Sequence, residues 1–118
     1  MATKTIQPES LNDPRPRYSQ GIQTDGGRLL FIAGQTASDK SGNVVGKGDI
    51  KAVLEAAGGS FDNLVMTTTY ITDRKYREGY NEVRRGMYKK DPPTSTLVIV
   101  SGLANEDYMI EIAGIAVI

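Results

Sequence analysis

Residues 109–118 are apolar at odd and even positions alike, interrupted only by Glu111. A strand with no polar face is covered on both sides, so this one is expected in the middle of a sheet with strands beside it. A carboxylate in such a strand is costly unless it is paired or hydrogen-bonded, which marks Glu111 as the chemical centre of the molecule. The remaining pattern supplies the neighbours. Tyr18, Gln20, Ile22 and Thr24 alternate onto one face of a strand, and Asp25-Gly26-Gly27 is turn chemistry. Residues 29–33 read as a two-sided second strand, so the pair is expected to form a hairpin that Gly34-Gln35 ends.

Residues 39–48 read as a loop whose centre, Asn43-Val44-Val45, adds a short edge strand. Asp49 is the expected N-cap of a helix in which Ile50, Val53, Leu54 and Ala57 share one stripe, and Gly58-Gly59 stops it. Leu64–Ile71 is β-branched and aromatic, a strand by propensity. Asp73 caps a second helix that carries Tyr76, Tyr80, Val83 and Met87 at helical spacing. Asp91-Pro92-Pro93 then breaks the chain before a strand over 95–100. Residues 1–17 contain Pro14 and Pro16, which exclude helix and predict an extended arm packed on the body.

This order, ββ(β)αβαββ, predicts one two-layer α/β (α+β) domain, a mixed sheet with both helices on one face. The strands over 29–33, 95–100 and 109–118 carry apolar residues to the other face too. That open face is expected to meet further copies in a closed homo-oligomer.

Composition narrows the chemistry. A chain of 118 residues can bury a core without disulfides. Fourteen Lys and Arg balance fourteen Asp and Glu, so no global field steers nucleic acid or a membrane surface. The chain has no Cys and no His. The first absence removes a thiol nucleophile. The second removes the commonest general base, the Ser-His-Asp arrangement and the usual transition-metal sites. No apolar run approaches the ~20 residues of a membrane span, and the first residues lack the apolar stretch of a signal peptide. A soluble cytoplasmic protein is the expectation.

Among candidate site residues Glu111 stands first, as the group that activates a water or moves a proton. The bland reading of it is a glutamate satisfied by backbone or by a neighbouring cation. Tyr18 either lines a pocket or packs at an interface with a wet tip. Thr94 and Ser95 follow the Pro-Pro break, where hydroxyls and free N–H groups bind a small polar or anionic group or simply start a strand. Gly34 allows close approach of a ligand, or only a bend. The pairs Arg84-Arg85 and Lys89-Lys90 read as solvated surface and not as a nucleic-acid site.

Together these residues resemble the RidA/YjgF family of enamine/imine deaminases (the endoribonuclease L-PSP group). Tyr18-Ser19-Gln20 matches the family's Tyr-Ser-Gln, and Ala33-Gly34-Gln35 its Ser-Gly-Gln. Residues 48–50 and 52–58 are similar to the start and end of its first helix. Asn81 matches the Asn of its second helix, and Ile110-Glu111-Ile112 with Ile115-Ala116 its Ile-Glu-Ile-Glu-Ala-Ile-Ala ending. The resemblance implies a chorismate-mutase-like fold in a barrel-like homotrimer with ligand pockets between subunits. It also implies hydrolysis of small imines and enamines such as 2-aminoacrylate without metal or organic cofactor. On this resemblance Glu111 is the catalytic residue, with Tyr18, Ala33, Gly34, Thr94 and Ser95 around the substrate.

Three departures stand out. Thr94 replaces the arginine that clamps the substrate carboxylate, and a hydroxyl cannot reproduce that bidentate contact. Ala113 replaces the second Glu of the ending. About a dozen residues typical of the first helix are absent between Ile50 and Ala52, leaving a stripe too short to cover the sheet alone. Arg15 or Arg17, beside Tyr18, is the candidate substitute for the lost cation. The substrate is then expected to lack a carboxylate or to be bound differently. A non-catalytic small-molecule-binding or regulatory trimer is the competing reading.

Overall fold

The computed structural model describes residues 3–37 and 47–118. The expected edge strand at Asn43-Val44-Val45 lies outside the described residues. The C-terminal strand β6 (Ile110–Val117) sits inside a four-stranded sheet, between β3 (Leu29–Ala37) and β4 (Leu64–Ile71), and β5 (Thr94–Ile99) completes the order β3-β6-β4-β5. Pairing is antiparallel except between β4 and β5. A strand of Ile, Ala and Val with almost no polar positions thus takes the place where both edges are hydrogen-bonded.

The expected hairpin of residues 18–24 with β3 is not formed. The observed strand β2 is only Gly21–Thr24, and it pairs antiparallel with β1 (Thr3–Ile6) in a separate two-stranded sheet. Part of the N-terminal arm is therefore a strand. Gly26 and Gly27 adopt positive φ, as turn residues do. The chain then enters β3 beside the end of β6, where Arg28 and Ile118 exchange backbone hydrogen bonds of 2.8 and 2.9 Å.

Both helices lie on one face. Helix α1 (Lys47–Ala56) begins two residues before Asp49, so that residue falls in the first turn and is not the cap. Ile50 and the fully buried Leu54 pack against Ile32, Leu64 and Ala116. Gly58, at φ +87°, ends the helix with the N–H of Gly59 bonded to the Leu54 carbonyl at 2.8 Å. Asp73 accepts from the Lys75 N–H at 2.9 Å and caps a 3-10 turn that runs into α2 (Arg77–Arg84). Tyr80 of α2 joins Ile71 and Ile110 in a second cluster, and Ile112 touches both clusters. A ten-residue α1 suffices because α2 covers the other half of the sheet.

The N-terminal segment is tied down by charge. The Arg15 guanidinium holds both Asp13, at 2.5 Å, and Asp91 in the loop before β5, at 3.1 Å. Hydrogen bonds from Arg15 keep the Asp13 carboxyl at about 2, against 3.8 ordinarily. Asp91 is lowered as well, first by Thr5 and then by Arg15. A depressed folded value means that this pairing stabilises fully above pH 3.8 and is lost as pH falls through about 2. In an NMR titration the Asp13 midpoint is expected to rise from about 2 toward 3.8 in Arg15→Gln, stopping short of it because the backbone N–H of residue 15 still bonds Asp13. An unmoved midpoint would refute the assignment.

Candidate active site on the open face of the sheet

Ile110 and Ile112 point into the helix-facing clusters, so Glu111 between them points to the other face. Its cross-strand partners are Thr36 on β3 and Tyr70 on β4. Further along the same face Phe31, Ile115 and Met66 lie side by side. Phe31 is 71% exposed, Leu29 61% and Met66 43%. The helices leave this face bare, and a small polar row, Thr36–Glu111–Tyr70, crosses it beside the apolar patch.

Glu111 is half-buried in the protomer, less enclosed than its all-apolar strand suggests, because the side it projects to is the uncovered one. Among the described residues no Lys or Arg pairs with it. The pairing of β3 with β6 shifts between Ile32 and Gln35, so Ala33 and Gly34 together oppose Ala113. Such a bulge leaves a residue out of the ladder and kinks the strand. It brings the Gly34 backbone over the carboxylate: a Cβ added at Gly34 would sit 2.5 Å from Glu111 Oε2 and 2.6 Å from Cδ. Glycine at this position is a condition for the carboxylate's placement. Of the expected site residues, Ala33, Gly34 and Glu111 are brought together.

A second group assembles elsewhere. The Ser19 N–H bonds the Pro93 carbonyl at 3.1 Å, and the buried Ser19 hydroxyl donates to the Pro92 carbonyl. This pins the Tyr18-Ser19 segment to the Pro-Pro turn that opens β5, with Tyr18 half-buried. Ser19 is the residue that sequence reasoning passed over here. The Thr94 hydroxyl is used within the sheet, donating to the Val65 carbonyl at 3.0 Å. Thr94 pairs with Met66, whereas Glu111 pairs with Tyr70. Four residues of β4 and two strand spacings therefore separate them, about 13 Å along the strands and about 10 Å across. A ligand of a few atoms does not span Thr94 and Glu111 within one copy.

Ser95 turns the other way. It pairs with the buried Thr67 and, on the helix side, its hydroxyl accepts a 3.0 Å hydrogen bond from Arg84. That removes Ser95 from a pocket built on the open face. It also corrects the reading of Arg84 as solvated surface: this side chain is half-buried, bonds the Tyr80 hydroxyl at 3.3 Å and lies 4.9 Å from that ring's centre.

The sequence profile of the endoribonuclease L-PSP family matches residues 9–118. The chain belongs to the RidA/YjgF family. A RutC family protein of Saccharolobus solfataricus is 40% identical over 119 residues, covering 92% of each chain. One from Pyrococcus horikoshii is also 40% identical, covering 89% of this chain and 91% of that one. Among solved structures, a Rid family protein of Yersinia pestis covers all of both chains at 26% identity and a TM-score of 0.86. RidA from a Psychrobacter species gives 0.67 at 27% identity, covering 98% of this chain and 99% of that one. The mixed α+β architecture with two helices is the Rid fold. Within that fold Arg15, one candidate substitute for the clamp cation, is already engaged by Asp13 and Asp91.

Proposed function

We propose that this Rid-family chain is a cofactor-independent hydrolase of small imines, enamines or related carbonyl compounds, working as a homotrimer. Glu111 is its acid–base group, and the pocket is completed by a neighbouring copy against the open face. The observation that carries the reading is the glycine-bearing bulge that holds the Glu111 carboxylate at the edge of a bare apolar surface. In the reaction Glu111 takes a proton from water as the oxygen bonds to the imine carbon, and returns it to the nitrogen. The resulting carbinolamine loses ammonia and leaves the carbonyl compound. An enamine first tautomerises to the imine, gaining a proton on carbon as its nitrogen gives one up. The backbone at the Ala33–Gly34 bulge orients the substrate, with the Ala33 carbonyl held by the Gln35 side-chain amide at 3.0 Å, and Tyr18 closes the wall from a neighbouring copy.

With a threonine at position 94, a carboxylate on the substrate gains no bidentate clamp. The preferred substrate is therefore an imine without one. The test compares decay of 2-aminoacrylate, generated in situ by a dehydratase, with decay of an uncharged imine. Wild type is expected to accelerate the uncharged imine, and Thr94→Arg to raise the 2-aminoacrylate rate about tenfold, the worth of one charge-assisted contact. If wild type accelerates no imine in the panel, the ligand-binding or regulatory trimer replaces this reading.

A further inference from the structure

On the helix side of the sheet, the reverse of the Glu111 side, the C-terminal end of α2 and the segment before β2 enclose a cavity of about 380 Å³. Four cations line it, Arg17, Arg84, Arg85 and Lys90, together with Asn81 and Tyr88. No Asp or Glu is among its lining residues. Arg85 has a partner in Glu82 at 3.4 Å, on the exposed surface. Among the described residues no acid pairs with Arg17, Arg84 or Lys90. A chain whose charges balance overall thus places three uncompensated cations around one concavity, where each raises the potential felt by an entering anion.

The walls are pre-arranged. The Arg84 guanidinium is fixed through one terminal nitrogen by Ser95 and the Tyr80 hydroxyl, and its central carbon lies 4.9 Å from the centre of the Tyr80 ring. Among the described residues its remaining N–H groups have no partner, which leaves them for a ligand. Among the described residues Oδ1 of Asn81 is buried without a partner, an acceptor that would take a hydroxyl of the ligand and not a phosphate oxygen. The Tyr88 hydroxyl is a proton donor at neutral pH, as any tyrosine is, and burial pushes its pKa further up.

We infer that this cavity is a binding site for a small phosphate-bearing anion, on the face of the protomer opposite its own Glu111. A monocarboxylate would neutralise one of the three free cations. A phosphate monoester brings close to two charges and three acceptor oxygens, which suit the arginine fork. The volume lies at the small end of ligand pockets, room for a phosphorylated metabolite of a few carbons. The cations ring one hollow instead of forming a stripe, which argues against a nucleic-acid track. The site stands whether or not Glu111 is catalytic.

Titration calorimetry of the full chain with inorganic phosphate, glycerol phosphate and acetate tests the inference. Phosphate or glycerol phosphate is expected to bind, more weakly as salt rises, while acetate does not. Tighter binding of glycerol phosphate identifies the phosphomonoester, and equal binding identifies free phosphate. Arg17→Ala, which removes no side-chain hydrogen bond or ion pair among the described residues, and Arg84→Met are each expected to weaken binding about tenfold or more, whereas Glu111→Gln leaves it unchanged. Absence of binding at millimolar concentration, affinity unchanged in both arginine variants, acetate binding as tightly as phosphate, or tighter binding of an RNA oligomer would each overturn it.

Discussion

Glu111→Gln is expected to slow imine hydrolysis about 1,000-fold, inside the range of ~10²–10⁴ for a positioned acid–base group. Circular dichroism and the urea midpoint should stay near those of wild type, because glutamine keeps the shape of the side chain between Thr36 and Tyr70. Gly34→Ala should produce a loss of the same order by another route. The added methyl would overlap Oε2, Cδ and Cγ of Glu111 at 2.5, 2.6 and 2.8 Å. These atoms belong to a flexible side chain, so the carboxylate swings away and the fold survives. If both substitutions act through one group, the double variant is hardly slower than Glu111→Gln alone. Fully additive losses would show that Gly34 matters for some other reason.

Phe31→Glu is expected to dissociate the assembly to single 12.8 kDa chains and to abolish hydrolysis with it. Phe31 is 71% exposed in the protomer and continues across Ile115 to Met66, so a charge there would be buried unpaired at an interface of copies. The protomer's own core lies on the other side of the sheet, and the isolated chain should remain folded. Sedimentation of the variant checks this, and an unchanged mass would remove Phe31 from the interface.

The pattern of apolar positions foretold the central elements well. The two-sided run at 109–118 does lie between two strands, and the stripe of Ile50 and Leu54 does face Ile32 and Ala116. What it missed turns on weak local signals. Thr3–Ile6 is four residues, half of them exposed, too short to betray a strand by alternation. The glycines at 26 and 27 suggested a hairpin, yet β3 takes β6 as its partner and leaves β2 to β1. At the site, Glu111 and Gly34 were legible as chemistry and as close approach, but their contact depends on a bulge that no residue pattern announces. Arg84 was hidden for a different reason. A basic residue on a helix end usually faces water, and only the Tyr80 ring one turn earlier, with Ser95 after the Pro-Pro break, hints that this one turns inward.

Everything proposed for catalysis depends on Glu111 working in a cavity that one copy alone does not close. The most direct measurement follows hydrolysis per chain and molar mass together as wild type is diluted. The account predicts that activity falls in step with the loss of a species about three times the 12.8 kDa chain mass. Full activity per chain in a preparation that sediments as single chains would contradict it.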